Sequence, residues 1–211
     1  FLGKTNPGGS APLTTVLATG DATGDTFTLV DGSAAPQAAG VAPNEVFFDA
    51  GSSKGKQVFA FNLTKLGTTK TLVVKNIEAT LVAGPGNLRV DGDGPVRINS
   101  DNFGQNIRGG GGNDTLVGGG NDTLTGGAGA DIFGFSTAAK GKYTITDFNK
   151  ATDQLAFKLT GVTNFEQLRA AVTKEVFANG SMTYDLGPDI SITLVGIGPQ
   201  DITAGLVKFT F

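Results

Sequence analysis

The sequence predicts a protein that is mainly all-β, and three observations support this. Glycine contributes 33 of the 211 residues, and threonine, valine, phenylalanine and leucine are also frequent, so turn formers and strand formers dominate. Several short segments alternate apolar and polar residues, as half-buried strands do. A short unit of glycine, aspartate and a large apolar residue repeats in tandem in the second half of the chain.

The first half of the chain contains strand signals separated by turn signals. Apolar segments end at Gly-Ser, Gly-Thr and Gly-Pro pairs, which are typical of turns. Short strands at such spacing indicate a sandwich or a solenoid, and both remain open at this point. We expect a linker or edge segment over residues 1–19 and a β-rich domain over residues 20–95. The strand candidates are residues 25–30, 45–48, 57–62, 71–77 and 79–82.

The repeated unit occurs three times within RGGGGNDTLVGGGNDTLTGGAGADIFGF, residues 108–135. Residues 109–117 and 126–134 fit the nonapeptide G-G-x-G-x-D-x-U-x, in which U is a large apolar residue, and residues 118–125 are the same unit one residue short. Glycine adopts a positive φ at little steric cost, so such a loop can turn tightly and direct several carbonyl groups inward. The apolar residue that follows would point from a short strand into a core.

The aspartate of each unit adds a carboxylate to these carbonyl groups. Calcium is a hard cation that takes about six to eight oxygen ligands, mostly carboxylate and backbone carbonyl. A flexible glycine-rich linker would show no periodic aspartate and no periodic apolar residue. Asp114, Asp122 and Asp131 recur with the unit, as do the large apolar residues after them. The spacing therefore favours calcium-binding loops.

The tandem unit resembles the calcium-binding nonapeptide repeat of RTX (hemolysin-type) proteins. That resemblance implies a short parallel β-roll over residues 96–140, in which two units make one coil and their loops lie on opposite edges. It also implies that the loop 109–114 stacks on the loop 126–131 and holds at least one Ca²⁺ with it. The repeat residues that it assigns to the metal are Arg108, Gly109, Gly110, Gly111, Gly112, Asp114, Gly118, Gly119, Gly120, Asp122, Gly126, Gly127, Ala128, Gly129 and Asp131.

The loop 118–122 lies on the other edge in this arrangement. Its upstream stacking partner falls around residues 101–105, which lack the glycines and the aspartate of the unit. An ion at this loop would therefore have to take ligands from elsewhere in the chain.

The apolar period also continues upstream of the repeats. Ile98 and Ile107 precede Leu116 at nine-residue steps, whereas Val96 and Gln105 stand where the unit has aspartate. We expect the coil to begin near residue 95, with its first turns held by core packing and without calcium.

A second resemblance follows the repeats. Residues 141–157, GKYTITDFNKATDQLAF, are similar to the sequence x-I-x-D-F-x(4)-D-x-L that follows the last repeat in many RTX proteins. Asp147 and Asp153 occupy its two acidic positions. The resemblance implies that these carboxylates complete the last calcium sites, and turn capping is the alternative.

The C-terminal residues predict one helix and one hairpin. A Thr-x-x-Glu capping box opens the helix candidate, residues 163–174, and its apolar residues share one face. Residues 182–186 and 190–195 form a hairpin pattern across Gly-Pro-Asp, and the chain closes on GLVKFTF. This arrangement resembles the uncleaved C-terminal region of proteins exported by type I secretion. We therefore expect residues 141–211 to form an α+β cap and secretion segment.

Composition excludes several classes of function. A formal net charge of −3 and a pI of about 4.9, with no basic cluster, argue against nucleic acid or an anionic membrane as a partner. No apolar run reaches the ~18 residues that a membrane span needs. The chain has no cysteine, so bound calcium would stabilise it where disulfides cannot. The absence of histidine removes the common zinc and Ser-His-Asp centres, so we expect no enzyme activity.

The expected function is that of a calcium-binding C-terminal region of a secreted cell-surface protein, of the surface-layer or adhesin type, that folds after type I export. Its expected location is the outside of a Gram-negative-type bacterium. Its expected partners are calcium, the type I secretion machinery, and a surface polysaccharide or further copies of the chain. Phe1 is not an initiator residue, so we expect the chain to be part of a longer or processed protein. The alternatives are the folding module of an extracellular hydrolase, and a carbohydrate-binding module in residues 20–95.

Overall fold

The computed structural model describes residues 16–19, 28–31, 44–49, 58–63 and 67–211. About half of the chain is in strands, and the strands form a parallel β-solenoid of about five turns. The strands in chain order are β1 (Val16–Thr19), β2 (Thr28–Asp31), β3 (Glu45–Asp49), β4 (Val58–Asn62), β5 (Gly67–Lys75), β6 (Ala79–Ala83), β7 (Gly86–Asp91), β8 (Arg97–Ser100), β9 (Gln105–Gly110), β10 (Thr115–Val117), β11 (Thr123–Gly127), β12 (Ile132–Ser136), β13 (Gly141–Ile145), β14 (Gln154–Lys158), β15 (Val172–Ala178), β16 (Ser181–Leu186), β17 (Ile190–Val195) and β18 (Val207–Lys208).

Two sheets make up the solenoid, and successive strands alternate between them. One sheet has the order β1-β4-β6-β8-β10-β12-β14-β18, and the other has the order β15-β16-β17-β13-β11-β9-β7-β5-β3-β2. From β3 to β14 every pairing within a sheet is parallel. Each pair of successive strands therefore completes one coil, and the connecting loops lie at two opposite edges of the roll.

The large apolar residues of the repeat fill the space between the sheets. In one sheet Leu116 lies between Ile98 and Phe133, and in the other Leu124 lies between Ile107 and Ile145. All of these side chains are buried. The nine-residue apolar period thus corresponds to the alternation between sheets, as the sequence predicted. Their burial stabilises the roll by about 1.5–3 kcal/mol for each large apolar side chain.

The parallel ladders continue upstream of the expected starting point near residue 95. Four of the strand candidates in the first half appear as β3, β4, β5 and β6, with bounds that differ by up to four residues. Of the two architectures left open for this half, the pairing shows the solenoid. Phe48, Phe59 and Phe61 fill this end of the core, with Phe48 in edge-to-face contact with both others. The parallel pairing crosses residue 95, and the division of the chain into domains stays a prediction.

Part of the N-terminal predictions lies outside the described residues. Most of the expected linker 1–19 is among these, as is the start of the strand candidate 25–30. The described parts of both segments are β1 and β2, which pair antiparallel with β4 and β3 respectively.

The helix of the C-terminal segment is shorter than the sequence predicted. The helix α1 spans Phe165–Ala171, and its N-cap is Asn164, whose side chain accepts from Gln167 N at 2.9 Å. The predicted box of Thr163 and Glu166 is therefore wrong by one residue. Residues 172–174 were predicted to be helical, but they belong to β15 because their backbone pairs with β16. β-Branched Val172 and Thr173 favour that extended conformation.

The predicted hairpin is present as β16 and β17, and it extends the ten-stranded sheet. β15 and β16 are joined by the two-residue turn Asn179–Gly180, in which both residues have positive φ, as a tight hairpin turn requires. β17 continues in parallel from β13, and β18 continues in parallel from β14. The C-terminal segment thus prolongs both sheets beyond the last coil.

Candidate metal centre

The loops of the repeats lie on two edges of the roll. The first edge is defined here by the loops 109–114, 126–131 and 146–153. The second edge is defined by the loops 101–105, 118–122 and 137–140. Strands β10, β12 and β14 start from the first edge, and strands β9, β11 and β13 start from the second, which follows from the alternation between sheets.

Two repeat loops stack directly on the first edge, as predicted. Gly110 pairs with Gly127, and Ala128 N donates to Gly110 O at 3.0 Å. A Cβ atom at Gly127, where φ is 108°, would collide with Gly110 O, and one at Gly129 would collide with Gly112 O. Glycine is required here because the two backbones approach closely at positive φ.

The aspartates of the first edge form a ladder from coil to coil. Asp114 Oδ1 accepts from Val96 N at 2.9 Å, and Asp131 Oδ1 accepts from Asp114 N at 2.8 Å. Asp153 Oδ1 accepts from Asp131 N at 3.0 Å, so the third rung is supplied by the segment after the repeats. All three aspartates are buried. Each aspartate uses one carboxylate oxygen to accept from an N–H group of the preceding coil, and its other oxygen points to its own loop.

The second oxygen of Asp114 is the exceptional atom of this edge. Asp114 Oδ2 is buried and has no hydrogen-bond partner. A Cβ atom at Gly109 would collide with Asp114 Oδ2 and would lie 2.8 Å from Gly126 O. A Cβ atom at Gly126 would likewise collide with Asp131 Oδ2. Beside Gly109, a carboxylate oxygen of one loop and a carbonyl oxygen of the next loop therefore approach the same point, and these are the donor types that calcium prefers.

The electrostatics of the first edge also favour a cation. Burial raises the pKa of Asp114 to about 7, the hydrogen bond from Val96 N opposes this, and the charge of Asp131 raises it further. Burial raises the pKa of Asp131 to about 6, and the charges of Asp153 and Asp147 add to the rise against the hydrogen bond from Asp114 N. The ionised carboxylates are thus poorly compensated by protein groups, and a bound cation would favour their charged forms.

Asp147 and Asp153 lie beside the last repeat loop, where the resemblance put them. Asp147 Oδ1 and Oδ2 accept from Gly126 N at 3.0 Å and Gly127 N at 2.9 Å. Asp153 Oδ2 accepts from Asn149 N at 2.9 Å. Both carboxylates therefore hold backbone N–H groups of the first edge, and their role as calcium ligands stays a prediction.

Upstream, the loop 109–114 stacks on the turn at residues 91–95. Gly111 N donates to Gly92 O at 2.8 Å, and a Cβ atom at Gly111 would lie 2.6 Å from Asp93 Oδ1. A Cβ atom at Gly112 would collide with the backbone of Gly94. Arg108 precedes the loop in β9, and its side chain is exposed. No group of three or more acidic side chains converges in the described part of the chain, so most ligands of a cation here would be carbonyls.

The second edge surrounds its aspartate with donors. Asp122 Oδ1 accepts from Gln105 N at 2.9 Å. Asp122 Oδ2 accepts from Ser100 Oγ at 2.7 Å, from Gly119 N at 3.0 Å and from Gly120 N at 3.4 Å. Burial raises the pKa of Asp122, and these four hydrogen bonds all act in the opposite direction. Both oxygens of this carboxylate are therefore occupied by protein groups.

Neighbouring coils hold the loop 118–122 closely on both sides. A Cβ atom at Gly119 would collide with Asp101 O, and one at Gly120 would lie 3.0 Å from Lys140 O. The ring of Tyr143 lies 2.6 Å from the Cβ position of Gly118, so this glycine makes room for an aromatic core residue. The three glycines of this loop thus serve close packing.

Sequence reasoning missed the residues that stabilise the second edge. It treated residues 101–105 as lacking the features of the unit, yet Asp101 Oδ2 accepts from Gly84 N at 2.8 Å and Asp101 Oδ1 accepts from Gln105 Nε2 at 2.7 Å. Ser100, which donates to Asp122, also lies outside the repeats. No periodic signal marks these residues, because each acts on a loop one coil away in space.

No family model matches the chain, and no curated protein matches it. Within the described ranges, no helix is both long enough and apolar enough to cross a membrane.

Proposed function

We propose that the first edge binds calcium and that the chain is a calcium-stabilised β-roll. The observation that carries this proposal is Asp114 Oδ2, a fully buried carboxylate oxygen with no protein donor. Leaving such an oxygen ionised without a partner costs about 1–3 kcal/mol or more. A cation between the loops would remove that cost, and Gly126 O supplies a second oxygen at the same point.

The residues of the first edge fit a calcium ion better than a transition metal. Their donors are carboxylate and carbonyl oxygens, and the chain contains no cysteine or histidine. Asp114 and Asp131 would supply carboxylate ligands, and the glycine-rich loops 109–112 and 126–129 would supply carbonyls. Asp147 and Asp153 hold the backbone of the last loop in place. The bound ion would neutralise the raised-pKa carboxylates and link adjacent coils.

The proposed consequence is that completion of the fold depends on calcium. Extracellular calcium modules bind with dissociation constants of roughly 10⁻⁴ to 10⁻³ M, so such a site is empty in the cytosol and filled outside the cell. Metal binding to a site that exists only in the folded chain adds directly to the stability of the fold. A chain of this kind would be incompletely folded and export-competent inside the cell and would complete its fold outside, which agrees with the proposed type I route.

The proposed wider role is that of a secreted, cell-surface protein of the surface-layer or adhesin type. An acidic composition rich in glycine and threonine, without cysteine or histidine, supports it. The folding module of an extracellular hydrolase is the second candidate, because calcium-stabilised rolls would serve a catalytic domain elsewhere in the protein equally well. We propose no catalysis by this chain itself, since its clustered carboxylates are engaged in the loops of the first edge.

Isothermal titration of the full chain with calcium tests the proposal. The wild-type chain should bind calcium, and Asp114→Asn should lose at least one ion. Because Asp114 and Asp131 share a site, the double variant should lose little more than either single variant. Asp189→Asn is the matched control. Asp189 lies in the turn of the C-terminal hairpin, where it pairs with Lys140, so this substitution should leave calcium binding unchanged. Undiminished binding by Asp114→Asn would contradict the proposal.

A further inference from the structure

At the second edge, the Ser100 hydroxyl lies where the first edge has oxygens without a donor. Gly109 lies five residues before Asp114, and Val117 lies five residues before Asp122. At Gly109, Asp114 Oδ2 and a carbonyl of the next coil face the same point without a donor between them. At Val117, the carbonyl oxygen and Asp122 Oδ2 both face the hydroxyl of Ser100, at 3.1 and 2.7 Å.

Ser100 occupies this position because of the coil geometry. It ends β8, the strand that pairs in parallel with β10, and the loop 118–122 follows directly after β10. The Ser100 hydroxyl therefore lies next to the start of that loop, where it also accepts from Gly119 N at 2.6 Å. One hydroxyl thus connects the carboxylate of Asp122 with the backbone of its own loop.

We propose that Ser100 and the backbone N–H groups of the loop replace calcium at the second edge, so that this edge forms without metal. The calcium dependence of the roll then resides in the first edge alone. This inference rests on the proposed function, because its calcium measurements presuppose that the first edge binds calcium. It makes Ser100 the residue that determines which of the two edges requires the ion.

The hydrogen bonds explain why calcium would not displace these groups. A cation at Asp122 Oδ2 would have to break the bonds from Ser100, Gly119 and Gly120, and their donors would then be unsatisfied in a tightly packed loop. At Asp114 Oδ2 there is no protein donor to displace. The second carboxylate oxygen of the aspartate therefore accepts from three protein donors at the second edge and from none at the first.

Two equivalent hydrogen bonds provide matched probes of the edges. Val96 N donates to Asp114 Oδ1 at the first edge, and Gln105 N donates to Asp122 Oδ1 at the second, both at 2.9 Å. Residue-resolved amide hydrogen exchange on the full chain should show Gln105 protected in EDTA as well as in calcium. Val96 should become protected by at least about tenfold only when calcium is added, because exchange reports local opening of each unit.

Substitutions identify the group responsible. Ser100→Ala should increase exchange at Gln105 and Gly119 in EDTA by at least about tenfold and lower the melting temperature by about 5 °C. Ser100→Thr, which keeps the hydroxyl, should restore most of the protection. Ser136→Ala is the matched control, since it removes a hydroxyl at the end of β12 in the same sheet and should leave both values unchanged.

The possible outcomes separate this inference from the proposed function. Calcium-dependent protection at Gln105, or loss of an ion in Asp122→Asn, would overturn the inference while leaving calcium binding intact. If the protection of the Val96 amide from exchange does not depend on calcium, the proposed function is contradicted. Ser100→Ala would still test the second edge in EDTA. Unchanged exchange in Ser100→Ala would overturn the inference in either case. If Ser100→Ala fails to fold, protection of Gln105 in calcium-free wild-type chain and the ion count of Asp122→Asn decide the question.

Discussion

At the first edge, Asp114 is buried, and one of its carboxylate oxygens accepts from Val96 N while the other has no hydrogen-bond partner. At the second edge, Asp122 is equally buried, but its carboxylate accepts from four donors. The two aspartates belong to adjacent copies of one repeat and precede strands of the same roll. The difference between them lies at the second carboxylate oxygen, which at Asp122 accepts from the Ser100 hydroxyl of a neighbouring coil and from Gly119 N and Gly120 N of its own loop.

This comparison shows that the repeat motif does not by itself identify a metal ligand. The glycines create a tight loop and the aspartate gives it a carboxylate at both edges. What surrounds the carboxylate comes partly from the N–H groups of its own loop and partly from residues outside the unit, such as Ser100 at the second edge and the next loop at the first.

The largest effect should come from glycine substitutions that add volume between coils. Gly127→Ala places a Cβ against Gly110 O at positive φ, and Gly119→Ala places one against Asp101 O. Each should destabilise the fold by more than about 4 kcal/mol, so the chain should not fold even with calcium. Gly94→Ala, in the turn on which the loop 109–114 stacks but with open space around its Cβ position, should fold normally. Circular dichroism measures all three, and a folded Gly127→Ala chain would disprove the close stacking.

The second largest effect should be a difference in sign between the stability changes that two isosteric substitutions cause. In EDTA, Asp122→Asn should destabilise the chain by about 2 kcal/mol, because the new amide N–H₂ group meets backbone donors. Asp114→Asn should stabilise it under the same conditions, since it removes a buried, uncompensated charge and can still accept from Val96 N. Urea unfolding measures both variants. Changes of the same sign would show that the two edges are electrostatically alike.

The pH dependence of stability should distinguish the calcium-free from the calcium-bound chain. The native pKa values of Asp114 and Asp131, about 7 and about 6, exceed the value of about 3.9 for an unfolded aspartate. Between these values the native state binds more protons than the unfolded state, so stability in EDTA should fall as the pH rises from about 5 to about 8.

Saturating calcium should remove or reverse this pH dependence, because the ion stabilises the charged carboxylates and competes with protons for them. Urea unfolding at about pH 5 and about pH 8, with EDTA or with calcium, provides the comparison. Asp114→Asn should flatten the curve in EDTA, since one of the two titrating groups is gone. A stability that rises with pH in EDTA would contradict the assigned burial of these carboxylates.

The smallest effect should come from the acidic turn upstream of the repeats. Asp93 is exposed and lies beside Gly111 of the first edge. Asp93→Asn should change the free energy of unfolding by less than about 0.5 kcal/mol, as for other surface substitutions, and should not alter the number of calcium ions. Calorimetric titration checks the ion count. A lost ion would extend the metal-binding region one coil upstream.

Much of the fold could be read from periodicity. The nine-residue spacing of Ile98, Ile107 and Leu116 predicted that the coil continues upstream of the repeats, and the structure confirms it. The alternation of strands between two sheets and the stacking of the loop 109–114 on the loop 126–131 were implied by the resemblance of the repeat to a known family. Periodicity was less informative at the C-terminal end, where the helix was predicted too long and β15 was not predicted, because pairing with β16 decides the conformation of residues 172–174.

The sequence by itself determined the β class, the repeat loops and the aspartates that they carry, because local glycine and apolar patterns specify tight turns and short strands. Only the tertiary structure decided how far the parallel ladders extend upstream and what faces each carboxylate. Asp114 and Asp122 both stand in the sequence Asn-Asp-Thr-Leu, yet only Asp122 has a serine of an adjacent coil, Ser100, beside its second oxygen. Such partners lie about one coil away along the chain, and only the folded backbone brings them within hydrogen-bonding distance.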